Sequence, residues 1–167
     1  TGRDGVLWIR SGDSDRGVRI AAANTLGKLG DGEVSRAIAA RLNPASGEQD
    51  SEVRNALWRA LAAIQRRETD PWVTAALADE FAASDNEANL AGAVELYEIA
   101  AGKLAANSGN GRLRQLKLRL AEAYLRQRQT GKAIELLTAL QKEAGDDADL
   151  AGTVRRKLGE ANLAAAP

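Results

Sequence analysis

The side chains available for chemistry in this chain are carboxylates, lysines, arginines and a few hydroxyls, because it contains no His, Cys or Met. That composition removes imidazole-activated serine, thiolate nucleophiles and His/Cys metal sites. The expectation is therefore a non-catalytic protein with no cofactor and no metal. Two carboxylate clusters have the donor atoms for a hard cation: Asp13 with Asp15, and Asp146 and Asp147 with Asp149. Neither follows the calcium-loop spacing that ends in Glu, and each directly precedes a predicted helix, where Asp caps the first turn. Asp79 and Glu80 are adjacent, so on a helix they diverge and cannot flank one bond.

The second pattern is a separation of charge. The formal net charge is zero. Residues 68–102 nevertheless carry eight acids and neither Lys nor Arg, whereas residues 112–134 carry seven bases against Glu122 alone. Arg112, Arg119 and Arg126 recur every seventh residue and line one side of a helix. Such a stripe could take an anionic peptide, or pair with the acidic segment of another copy in self-association. Nucleic acid is not expected, because no aromatic residues interleave with the bases.

The elements that position these residues are helices. Hydrophobic residues make up 44% of the chain but aromatic ones only 4%, and 34 residues are alanine, the strongest helix former. Period-2 runs of β-branched residues are scarce, so an all-α fold is expected. No apolar run approaches the roughly 20 residues of a membrane span. Without cysteine the redox compartment stays open, and so does the localisation. The start at Thr1 in place of Met is read as the mark of a fragment.

An internal repeat organises the first half. Asp15 to Leu29 aligns with Asp50 to Ile64 at an offset of 35, matching Val18 with Val53, Arg19 with Arg54, Ala21 with Ala56, Leu26 with Leu61 and Gly27 with Ala62. A period of this length marks stacked helical repeats. Helices are predicted up to Leu29 (ended by Gly30 to Gly32), over 33–42 (closed by Asn43-Pro44) and over 51–67. Another starts at Pro71. Residues 1–12 read as the last helix of a preceding unit, and Asn107 to Gly111 as a flexible loop.

Residues 13–83 resemble the HEAT family, in its short bacterial form with an Asp-x-x-Val-Arg start. The resemblance implies that Asp15 with Arg19, and Asp50 with Arg54, tie consecutive repeats together. From Ser84 the pattern changes: Leu120, Ala121, Tyr124, Ala133, Leu137 and Leu140 resemble a tetratricopeptide repeat (TPR), with Gln129-Thr130-Gly131 as its turn. Leu158 and Gly159 begin a further unit. Ala93, Tyr97 and Ala100 look like the second helix of a degenerate one, whose first helix holds Leu77 and Phe81. The implied architecture is a right-handed α-solenoid of stacked antiparallel helix pairs, HEAT-like over 1–83 and TPR-like over 84–167.

Both families imply a protein–protein interaction scaffold that presents a curved groove to a peptide or protein segment. The alternative is a structural or regulatory appendage of a larger, multidomain protein. By the TPR resemblance the partner-facing residues are Gln115, Leu118, Glu122, Leu125, Arg126, Arg156 and Glu160, joined by Arg119 of the basic stripe. Leu118 and Glu122 stand where that family's carboxylate clamp has Lys and Asn, so a mixed apolar and charged groove is expected.

Overall fold

The computed structural model describes residues 13–45, 47–106, 111–145 and 147–165. Within them lie eight helices: α1 (Arg16–Leu29), α2 (Gly32–Arg41), α3 (Ser51–Arg67), α4 (Pro71–Ala82), α5 (Glu87–Ala106), α6 (Gly111–Arg126), α7 (Thr130–Ala144) and α8 (Ala148–Ala165). The described residues contain no strand, so the fold is all-α. The helix expected in residues 1–12, the loop at 107–110 and Asp146 lie outside the described residues.

The chain divides into two compact units, one ending at Asp70 and the other starting at Pro71. The change of pattern read from the sequence falls at 83/84, one helix later. The helix of Leu77 and Phe81 packs on α5 in the second unit.

In the first unit, each helix starts where a carboxylate accepts from the free N–H groups of the first turn. Asp15 accepts from the Val18 N–H, Asp31 from Glu33 and Val34, and Asp50 from Glu52 and Val53. Helices α1 and α3 form the main contact and α2 packs on α3. Helix α1 approaches α3 at Gly27, where an added Cβ would stand 2.8 Å from the Ala60 Cα. At Gly30 an added Cβ would meet the Leu26 carbonyl oxygen at 2.6 Å and Ile64 Cδ1 at 2.9 Å. Glycine at these two positions is thus a requirement of space. Val53, Ala56, Leu57, Leu61 and Ile64 complete the core with Ile38 and Leu42. Each fully buried leucine or isoleucine contributes roughly 1.5–3 kcal/mol.

The 35-residue correspondence holds along the backbone but not in burial. Leu61 is fully buried whereas Leu26 is half-buried, and Val18 and Leu29 are exposed opposite buried Val53 and Ile64. Helix α3 has neighbours on both sides within the unit, α1 and α2, and α1 packs principally against α3.

In the second unit the helices pack in chain order, α4 on α5, α5 on α6, α6 on α7 and α7 on α8, with a lighter contact between α6 and α8. Ala121, Leu137, Leu140, Val154 and Ala161 form one buried cluster, edged by Leu118, Leu125, Ile134, Leu136, Leu150 and Leu158. The turn between α6 and α7 is not centred on Thr130; it is made at residues 127–129, with Arg128 in the left-handed region at φ 58°. The Gln129 N–H reaches the Tyr124 carbonyl and the Arg128 N–H that of Leu125, a paired bonding that ends a helix without glycine. Thr130 and Gly131 already belong to α7.

Candidate interaction surface

The basic stripe on α6 meets partners in its own unit. Arg112 stacks over the Trp72 ring at 5.8 Å. Arg119 Nη1 donates to Asp79 Oδ2 at 2.8 Å. Arg126 donates to the Ala82 carbonyl oxygen, to that of Ser84 at 3.0 Å and to Asp85 Oδ1 at 3.2 Å. Trp72 and Asp79 are themselves seven apart, so the two periodicities interlock. Because these contacts advance together, α4 and α6 run in the same direction. The acidic and basic segments thus pair within the unit.

Two tyrosines extend the pattern. Tyr97 Oη donates to Asp79 Oδ1 at 2.5 Å, so this carboxylate binds tyrosine with one oxygen and Arg119 with the other. Tyr124 Oη donates to Glu98 Oε1 at 2.5 Å, while Lys132 lies 3.9 Å from that oxygen and 5.2 Å from the Tyr124 ring centre. Burial, followed by the accepting carboxylate, raises both phenols above their ordinary value of 10.

The remaining groove residues divide by depth. Leu118 and Leu125 are partly buried against the α6–α7–α8 cluster and form its edge. Lys157 of α8 bridges Glu122 at 3.2 Å and Glu160 at 3.4 Å, and Arg156 pairs with Glu160 at 2.8 Å. Gln115 is exposed. Gln115, Arg119, Glu122 and Arg126 therefore form one outward row on α6, with Arg156 and Glu160 on α8 linked to it through Lys157. An open depression of about 820 Å³ follows α7 and is lined by Gly131, Ile134, Glu135, Thr138, Ala139, Lys142 and Glu143. Glu143 is already held by Lys117 at 2.6 Å.

In the first unit, Asp15 and Asp50 cap their own helices, and Arg19 and Arg41 meet at a residue the sequence reading passed over. Glu48 is buried and accepts from Arg19 Nε at 2.9 Å and from the N–H groups of Gln49 and Asp50, with Arg41 at 3.7 Å. Burial alone would raise its pKa. The Asp50 N–H, the bond and charge of Arg19, and the charge of Arg41 outweigh that and hold it below 4.5. Arg54 donates to the Glu48 carbonyl oxygen at 3.0 Å, as Arg19 does to that of Asp13 at 2.7 Å. The signal was available: Asp13 and Glu48 are themselves 35 apart, and each accepts from the N–H two residues on.

Among the described residues no group of three or more carboxylates is placed to hold a metal ion, and no helix is long and apolar enough to cross a membrane. Comparison with protein-family models, curated proteins and solved structures finds no match to this chain.

Proposed function

We propose that the chain is a right-handed α-solenoid, HEAT-like units followed by TPR-like ones, and acts as a non-catalytic protein–protein interaction scaffold. The observation that carries this reading is the direct linking of helices two apart in the second unit: α4 to α6 through Trp72–Arg112 and Asp79–Arg119, and α6 to α8 through Glu122–Lys157. Links of this kind set alternate helices side by side, the arrangement from which repeat proteins build a binding face. The outward row of Gln115, Arg119, Glu122 and Arg126, together with Arg156 and Glu160, is the partner surface in this reading.

Ion pairing fixes these side chains before a partner arrives, so less rotamer entropy is lost on binding. Charges already neutralised by neighbours attract an ion weakly. The partner that fits is thus a protein segment docking by shape and hydrogen bonds, not a highly charged ligand. The test is affinity capture by the full-length protein followed by mass spectrometry, repeated with Gln115→Arg and Glu160→Lys combined. Both positions are exposed, so helicity should be unchanged while a specific partner is lost. An identical partner list for the variant would remove this surface from the proposal.

A further inference from the structure

We propose that the loop at Asp13 is a socket for an arginine, one borne by a further helical unit of the same kind stacked against α1. The inference stands on the first unit and does not depend on the scaffold reading. The loop before α3 reads Ser-Gly-Glu-Gln-Asp over residues 46–50. The loop before α1 reads Ser-Gly-Asp-Ser-Asp over residues 11–15, at the same offset of 35. The described residues of the two loops are wired alike. Asp15 and Asp50 each cap the helix that follows. Asp13 Oδ1 accepts from the Asp15 N–H at 2.7 Å, and Glu48 Oε1 from the Asp50 N–H at 3.0 Å. Arg19 Nη1 donates to the Asp13 carbonyl oxygen at 2.7 Å, and Arg54 Nη1 to that of Glu48 at 3.0 Å.

One contact breaks the correspondence. Glu48 Oε2 also accepts from Arg19 Nε at 2.9 Å, and Arg19 belongs to the first helix of the earlier repeat, 29 residues back. Among the described residues no cation meets the Asp13 carboxylate, which accepts only from the Asp15 N–H. The occupant is identified by what fills the equivalent site: a guanidinium from a helix that stands to α1 as α1 stands to α3. Arginine suits the place better than lysine. Arg19 reaches the Glu48 carboxylate with Nε and the carbonyl oxygen of its own loop with Nη1, a fork that an ammonium lacks. Burial follows the same shift at the far end of the helix. Ile64 is buried with its Cδ1 close to Gly30, whereas its counterpart Leu29 is exposed at 81%. The other links of α3 to α1, from Glu52 and Arg67, fall on Gly17 and Gly32 after the shift. A unit stacked on α1 therefore leans on the Asp13 socket more than α1 leans on Glu48.

The test inserts a second copy of residues 13–47 directly before Asp13 of the full chain. The copied Arg19 then lies 29 residues ahead of the native Asp13, the separation of Arg19 from Glu48. Circular dichroism should show added helix, and chemical denaturation should read the junction. In the extended chain, Asp13→Asn at the native position should lower the folding equilibrium constant at least about tenfold, or about 1.4 kcal/mol. Asp13→Glu, which matches Glu48, should hold it. In the 1–167 chain the same Asp13→Asn should change the constant less than about twofold, because asparagine keeps an oxygen for the Asp15 N–H. Arg19→Gln in the copy should abolish the Asp13→Asn loss, the non-additivity of two groups in contact. An equal Asp13→Asn loss in both chains would mean that the socket is already filled within residues 1–167, and overturns the proposal. A loss that persists with Arg19→Gln in the copy does the same, because the arginine is then not what Asp13 holds. If the insertion adds no helix, the surface does not fit a unit of this kind and the proposal falls.

Discussion

In residues 13–70 two of the ionic contacts, from Arg19 and Arg41, converge on one buried carboxylate in a loop. In residues 71–165 they are strung along helix faces, where Asp79 and Glu98 each meet a tyrosine and a cation. The difference traces to what separates the helices. Helix α1 meets α3 through Gly27 and Ala60, so close that the polar links are confined to the ends of the contact: Arg16 to Glu52, Arg67 to the Gly27 and Gly30 carbonyl oxygens, and Glu48 in the loop. The second unit interleaves Leu116, Leu120, Tyr97 and Tyr124 between its helices. Arginine, lysine and tyrosine there reach along the helix faces, their stems on apolar surface and their polar ends on the carboxylates of the next helices.

Within the first unit, α1 and α3 share a sequence pattern but not a depth, and truncation separates them most sharply. Leu61→Ala should cost about 2–5 kcal/mol, the range for a fully enclosed leucine, and half-buried Leu26→Ala about 1–2 kcal/mol. Chemical denaturation followed by circular dichroism reads both. Equal losses would mean that α1 is as enclosed at Leu26 as α3 is at Leu61.

Glu48 is the next test, because a buried hub should matter more than any exposed link. Glu48→Gln removes the charge facing Arg19 and Arg41 and should cost about 1–3 kcal/mol at neutral pH. The pH dependence has a definite sign. The folded carboxyl titrates below 4.5, so its stabilisation is present above that value and is lost as pH falls through the folded pKa. The gap between wild type and Glu48→Gln should therefore close on acidification below about pH 4.5. A gap unchanged down to pH 3 would show that hydrogen-bond geometry, not charge, makes Glu48 a hub.

The helical class and most boundaries were legible because local signals decide them. Asp50 and Ser51 start α3 and Pro71 starts α4 at the residues their chemistry favours. The α6–α7 turn was misplaced because Gly131 draws the eye to positive φ, whereas paired backbone bonds hold Arg128 there at a steric cost of about 1–2 kcal/mol. Leu118 and Leu125 read as groove residues because one helix gives a face but not the depth of what covers it; α7 and α8 make them the edge of a core. Arg112, Arg119 and Arg126 read as a stripe open to a partner, and only the match of their spacing to Trp72 and Asp79, 40 residues earlier, points back into the chain.

The links of the second unit should be the weakest measured. Arg119 and Asp79 have side chains about half exposed, at 48% and 44%, so solvent screens most of their attraction. A double-mutant cycle of Arg119→Ala with Asp79→Ala should give a coupling below about 1 kcal/mol that shrinks further in high salt. The same cycle on Arg19 and Glu48, whose side chains are exposed at 19% and 6%, should give a larger and less salt-sensitive coupling. Tyr97 does not confuse the measurement. Its bond to Asp79 is lost in both halves of the cycle that carry Asp79→Ala, and so cancels from the coupling. If the Arg119 pair proved the stronger of the two, exposure would not be what ranks these contacts. The distinction between a loop hub and helix-face links would then be one of position alone.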